Sequence, residues 1–184
     1  DGIFYNLNNS NKTATVTNDG IFYDGSDAGY KQLEINIPEK ITYQNIEYIV
    51  NSIGERAFLG CDAFTSITIP CTISKIEISA LRNCYHLEKI IVDPNNKYYT
   101  SVDGALYNKN ITSLIKSPMR KRTISIPNTV TVIEKEAFHH SSITSISIPN
   151  NVKHIGYKAF VGCWGLSSIT IPNTVKIIGS SGNT

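Results

Sequence analysis

Four histidines, four cysteines and one closely spaced pair of glutamates are the residues through which this chain could do chemistry. A zinc centre would want paired C-x-x-C or Cys–His spacing, and none exists. His86 lacks a cysteine or acid at a useful distance along the chain. His139 and His140 follow Phe138 at a place filled elsewhere by Leu59-Gly60 and Val161-Gly162, so they read as loop residues. His154 precedes Ile155 in a slot also held by Ser52, Lys75 and Val132, which predicts an exposed side chain. Glu134 and Glu136 are two apart on an extended segment and form no matched acid–base pair. Nucleophile-elbow, P-loop and dinucleotide fingerprints are absent. The residues therefore predict no enzyme, no cofactor and no metal centre.

The cysteines lead instead to the elements that carry them. Cys61, Cys84 and Cys163 each fall four residues after an alanine, namely Ala57, Ala80 and Ala159. Ser141 holds the same slot after Ala137. That equivalence predicts small buried packing residues. The rival reading is a disulfide between Cys61 and Cys84 in neighbouring turns, whose strands would lie ~4.8 Å apart. Cys71 stands where Asn128, Asn150 and Asn173 stand in other units and reads as a turn residue.

Around those alanines the chain repeats itself. Ile-Pro recurs at 37–38, 69–70, 126–127, 148–149 and 171–172, with spacings of 22 and 23 residues across the last three. Ten residues after Pro70, Pro127 and Pro149 come Ala80-Leu81, Ala137-Phe138 and Ala159-Phe160. Ile76, Ile133 and Ile155 lie four residues before each alanine, and Ile73, Val130 and Val152 three before those. The consensus is L-x-x-I-x-I-P-x-x-V-x-x-I-G-x-x-A-F-x-x-C. I-x-I is a period-two strand with its isoleucines inward. Proline, which cannot donate to a ladder, ends it. V-x-x-I and A-F return the chain along another side. One such unit cannot bury its apolar face alone, so the units must stack. In-register stacking would place Ile126, Ile148 and Ile171 in one inner column.

The segments ITIPCTISKIEISALRNC, ISIPNTVTVIEKEAF, ISIPNNVKHIGYKAFVGC and ITIPNTVKIIG resemble the BspA-like subclass of leucine-rich repeat proteins, found on bacterial and protist cell surfaces. The resemblance spans nearly the whole chain, with Ile in place of most core Leu. It implies a β-rich solenoid, a right-handed superhelix of 22–24-residue repeats. It also implies a non-enzymatic surface protein whose partners are extracellular-matrix or other surface proteins.

The expected organisation is an N-terminal β cap over residues 1–32 and a repeat solenoid over 33–184. In the cap, Ile3–Tyr5, Thr13–Thr17 and Ile21–Tyr23 read as strands. KITYQNIEYIV, alternating around Gln44-Asn45, predicts a hairpin inserted on the first return path. Residues 88–122 form an irregular unit, expected as two strands around Asn108–Asn110. The last repeat is truncated, with Gly182-Asn183 where Ala-Phe belongs. That uncapped end suggests self-association or further chain. The absence of an initiator Met suggests a fragment or mature portion, with leader and anchor elsewhere and an extracellular or surface location.

At 41% hydrophobic and 17% charged, the 184 residues are globular in composition, and a net charge of +2 gives no pull toward nucleic acid. No apolar run reaches the length of a membrane span. The expected partner-binding face is the outward side of the I-x-I strands: Ser66, Thr68, Lys89, Ile91, Leu114, Lys116, Thr123, Ser125, Ser145, Ser147, Ser168 and Thr170. It reads as a row of hydroxyls with an apolar and basic centre, although Ser and Thr also simply suit exposed strand positions. The alternative is a glycan site in which Lys89, Lys116 and Arg120–Arg122 meet acidic sugars. A third reading is a passive spacer. Tyr85 and Trp164, following the slot cysteines, are expected to cover the core edge.

Overall fold

The computed structural model describes residues 2–18 and 32–179. The strand expected at 21–23 lies outside the described residues. Sixteen strands run through the rest. A first hairpin joins β1 (Phe4–Asn8) to β2 (Thr13–Thr17); β3 is Glu34–Asn36; a second hairpin joins β4 (Lys40–Tyr43) to β5 (Ile46–Ile53). Next come β6 (Ser66–Ile69), β7 (Lys75–Ile76), β8 (Lys89–Val92), β9 (Tyr99–Val102), β10 (Ala105–Asn108) and β11 (Ser113–Lys116). The chain continues through β12 (Thr123–Ser125), β13 (Val132–Ile133), β14 (Ser145–Ser147), β15 (His154–Ile155) and β16 (Ile177–Ile178). Among the described residues the only helical turn is a 3-10 turn at Ile78–Leu81.

The I-x-I segments pair in parallel. Ile35, Ile67 and Ile90 align across β3, β6 and β8, and Ile124 aligns with Ile146 across β12 and β14. The return segments pair separately: Leu114, Ile133, Ile155 and Ile178 align across β11, β13, β15 and β16. Between the two sides the proline turn is rebuilt each time. Val130, Val152 and Val175 donate their amides to the carbonyls of Pro127, Pro149 and Pro172 at 3.0 Å. Three of the four alanine turns carry two left-handed residues, and the Ala80 turn carries one. Arg56, Glu136 and Lys158 have φ of 54°, 58° and 54° just before the alanine, and Gly60, Asn83, His140 and Gly162 have φ of 69°, 58°, 58° and 75° after it. Most of these are not glycine, so the strain of roughly 1 kcal/mol apiece is offset by the packing on either side.

Apolar burial divides into two clusters. One contains Ile35, Ile53, Ile67 and Ile90; the other contains Ile124, Ile126, Ile133, Ile148 and Ile155. Ile171 packs against the second, so the three isoleucines expected in one column do share a core. Each fully buried Ile contributes about 1.5–3 kcal/mol. β10 is the partition. Leu106 enters the first cluster and Ala105 and Tyr107 the second, which is why the strand is buried on both faces.

The Gln44-Asn45 hairpin forms as expected, with φ of 50° and 61° at its two turn residues, the left-handed pair a tight hairpin requires. The irregular unit differs. The stretch expected as one strand before Asn108 is itself a hairpin, β9–β10, turning at Asp103-Gly104 with φ of 50° and 75°. Asn96, fully buried, holds this unit onto the preceding repeat. Its Nδ2 donates to the Pro70 and Ile73 carbonyls, both at 2.9 Å, and its Oδ1 accepts the Tyr98 and Tyr99 amides, both at 2.8 Å.

Candidate binding surface

The outward residues of β12 and β14 stand in two exposed rows: Thr123 beside Ser145, and Ser125 beside Ser147. Ser168 and Thr170 are exposed on the next unit, although that segment forms no strand. On the other sheet Glu34, Ser66 and Lys89 align, as do Asn36, Thr68 and Ile91. Lys89 and Ile91 are exposed and Thr68 half-buried, whereas Ser66 is buried at 3% exposure. Ser66 therefore falls below the face.

The two sheets are bridged by the tip of the β9–β10 hairpin. The Ile90 amide donates to the Gly104 carbonyl at 2.8 Å, and the Ser125 amide to Asp103 Oδ2 at 3.3 Å. Lys121 Nζ donates to both the carbonyl and the carboxylate of Asp103. Burial pushes the Asp103 carboxyl up, but the Lys121 and Ser125 hydrogen bonds outweigh that and hold it below its usual range. A side chain on Gly104 would lie 3.3 Å from Lys89 Cβ, so glycine lets the tip seat against β8.

Leu114 and Lys116 are not on this face. β11 belongs to the return sheet, Leu114 is fully buried in the second core, and Lys116 is 5% exposed. The amide register explains it. Phe58 donates to the Ala80 carbonyl and Phe138 to Ala159; Ser117 donates to Ala137 at 2.8 Å. Ser117 thus takes a phenylalanine's place and Lys116 an alanine's. The unit is two residues shorter here, with Lys116 two after Leu114 where Ala137 is four after Ile133. Lys116 and Ser117 are both buried, at 5% and 1% exposure. Lys116 Nζ donates to the Glu136 carbonyl at 3.1 Å, and Arg82 pairs with the Glu136 carboxylate at 3.3 Å. Burial pushes the ammonium down to about 8, against the opposing pull of Cys84 and Glu136.

The basic run is partly neutralised. Arg120 meets Glu88 at 3.5 Å, Lys121 is held by Asp103, and Arg122 forms no ion pair among the described residues. With Ser142 these residues line an open hollow.

The histidines and cysteines take structural places. His139 is buried rather than in an exposed loop, and burial, reinforced by His140, pushes it down to about 4. His154 is half-buried, not exposed. All four cysteines are free thiols, so Cys61 and Cys84 form no disulfide. Cys84 Sγ donates to the Phe58 carbonyl at 3.1 Å and Cys163 Sγ to Phe138 at 3.0 Å. One thiol slot thus hydrogen-bonds the turn before it in two repeats. Cys71 lies in the turn, its thiol donating to Glu39 at 3.3 Å. Among the described residues no three His, Cys, Asp or Glu side chains gather where a metal ion could be held. Of Tyr85 and Trp164, both expected over the core edge, Trp164 departs furthest from that expectation. It covers no core: it is 91% exposed, and Tyr85 is 43% exposed.

The repeated I-x-I-P and A-F-x-x-C units match the BspA type leucine rich repeat region in six copies, over residues 34–121 and 117–182. The chain belongs to this family. Among solved structures it is similar to a leucine-rich repeat protein from Eubacterium ventriosum. That match has 25% identity and a TM-score of 0.66, over 82% of this chain and 50% of that one. A leucine-rich repeat protein from Bacteroides ovatus matches at 30% identity and a TM-score of 0.47, over 97% of this chain and 36% of that one. The pneumococcal vaccine antigen PcpA matches at 17% identity and a TM-score of 0.50, over 97% of this chain and 76% of that one. The chain thus spans half or less of the first two relatives. No curated protein matches it. BspA-type repeats are typically non-enzymatic, and leucine-rich repeat proteins generally bind proteins. No helix among the described residues is long and apolar enough to cross a membrane.

Proposed function

We propose that this BspA-type protein is a surface or secreted binding module. On this reading it holds an extracellular-matrix or other surface protein against the face formed by Thr68, Lys89, Ile91, Thr123, Ser125, Ser145, Ser147, Ser168 and Thr170. The architecture that goes with it is a right-handed solenoid of 22–24-residue repeats over 33–184, capped by 1–32 and interrupted by the unit at 88–122. The observation that carries the reading is the pair of exposed rows on β12 and β14, joined to Lys89 and Ile91 through the Asp103-Gly104 tip. A rigid strand-mounted surface of short side chains costs little conformational entropy on binding, since few long rotamers must be frozen.

The test is binding of the chain to immobilised matrix proteins, with Ser145→Lys/Ser147→Lys as the disrupting variant. Saturable binding that falls at least about tenfold in this variant supports the reading. No saturable binding, or equal binding by the variant, rejects it. Light scattering on the same samples separates partner binding from self-association.

A further inference from the structure

We infer that the chain carries a second site, beside the A-F-x-x-C turns where the chain enters the sheet-face strands, which takes an acidic saccharide. Four successive turns meet there. The Arg120 amide donates to Leu87, Ser142 to Met119 and Thr144 to Arg122, while a side chain on Gly165 would come within 3.1 Å of the Ile143 carbonyl. This places Tyr85, the Arg120–Arg122 run, Ser142 and Trp164 on consecutive turns. Three turn spacings of ~4.8 Å put the two exposed aromatics roughly 14 Å apart along the stack.

Trp164 is 91% exposed and holds the same outward slot after the turn cysteine as Tyr85. At the other end the Tyr85 ring lies 6.3 Å from the His140 ring, which stacks on His139 at 4.2 Å. Gly162, at φ +75°, leaves room for that imidazole: a Cβ there would lie 2.6 Å from it. On the same turns lies a hollow lined by Glu88, Arg120, Lys121, Arg122 and Ser142. Exposed flat rings beside such a hollow suit the apolar faces of pyranoses. Arg122, with its fork of donors, suits a carboxylate or sulfate. Glu88 and Ser142 offer hydrogen bonds to hydroxyls. A nucleic acid fits less well, because Arg120 and Lys121 already face acids and little positive charge remains for successive phosphates.

Trp164 is the only tryptophan, so its emission reports directly on this surface. The intact chain is titrated at low salt with heparin, polygalacturonate, neutral dextran, polyglutamate and a single-stranded oligonucleotide. The expected result is a saturable emission change with heparin or polygalacturonate, weakened by added salt. Binding by calorimetry should fall about tenfold in Trp164→Ala and about three- to tenfold in Arg122→Ser, while the charge-neutral sheet-face variant Ser145→Gln/Ser147→Gln leaves it unchanged. That last comparison separates this site from the sheet-face reading. Four results overturn the inference: no emission change with either acidic polysaccharide; an equal response to dextran; tighter binding of polyglutamate or oligonucleotide; or undiminished binding by Trp164→Ala. Because Trp164 packs against almost nothing, loss of folding does not confound that variant.

Discussion

Ala137 and Lys116 hold the same place on neighbouring turns, yet one side chain is a methyl and the other a buried ammonium. After Ala137 comes Phe138, fully buried and stacked on Phe160 with centroids 5.0 Å apart. After Lys116 comes Ser117, buried but small. The comparison teaches that the fold fixes the backbone hydrogen bonds and the volume to be filled, and tolerates different chemistry in filling it. In the regular turn one residue of the pair fills the core. In the shortened turn the longer buried side chain is the other one, with a polar head that must find the Glu136 carbonyl.

The largest break in that comparison is expected from Phe138→Ser, which copies the short turn's residue into the regular turn without its lysine. The lost ring leaves a cavity, and urea denaturation should show about 3–5 kcal/mol less stability. The reciprocal Ser117→Phe should also destabilise, by about 1–3 kcal/mol, because Ser117 is 1% exposed beside the buried Lys116 and a ring would overpack the turn. A stabilising Ser117→Phe would show that the space is empty. Second in size to Phe138→Ser is Asn96→Ala. It strips partners from the Pro70 and Ile73 carbonyls and the Tyr98 and Tyr99 amides at once. About 2–4 kcal/mol should be lost, with faster amide exchange in β9 than in β13. Uniform exchange across both would mean the irregular unit is not separately pinned.

The same comparison shows what the sequence could disclose. The Ile-Pro period, the alanine slot and its cysteines, and the Gln44-Asn45 turn were legible because each repeats or carries its own turn chemistry. The displacement of Leu114 and Lys116 was not. SLIKSP reads as another I-x-I-P strand, and period-two alternation looks alike on either side of the turn. Only the backbone register shows that two residues are missing. The β9–β10 hairpin was signalled by Asp103-Gly104, a turn pair overlooked inside a longer run. The left-handed Arg56, Glu136 and Lys158 gave no sign, since these types rarely adopt that geometry. The candidate face was legible where its strands are regular, at Thr123, Ser125, Ser145 and Ser147. Trp164 was misjudged because an aromatic beside a core cysteine is expected to pack.

Lys116→Met sharpens the comparison by keeping the volume and removing the charge. The wild-type ammonium sits at about 8 when folded, against 10.5 for the ordinary group. Below pH 8 both states are protonated and the full penalty of the buried charge applies. Between pH 8 and 10.5 the folded form sheds its proton while the unfolded form keeps it, so stability rises with pH, on the order of 2–3 kcal/mol. The Met variant should lack this rise and be at least as stable at pH 7. Subtracting the two profiles removes tyrosine and cysteine titrations common to both. A flat difference would mean that the ammonium reaches water.

The smallest expected effect lies where the regular turn meets the shortened one, at His139. Its ring is buried, with Nδ1 unpartnered and His140, Glu136, Arg82 and Lys116 as the titratable or charged neighbours. Burial first, then His140, hold it at about 4 rather than 6.5. Above pH 6.5 both folded and unfolded forms are neutral and its contribution is complete. As pH falls from 6.5 toward 4 the unfolded chain takes up the proton first, so stability declines, by about 1–2 kcal/mol once relaxation of the ring toward water is allowed for. His139→Phe keeps a ring in the turn and removes the titration, so its profile should be flatter across that window. Lys116→Met removes a positive charge that disfavours the imidazolium, so its acid limb should be slightly shallower than that of wild type. An acid limb identical in wild type and His139→Phe would place the sensitivity elsewhere and leave the two turns electrostatically independent.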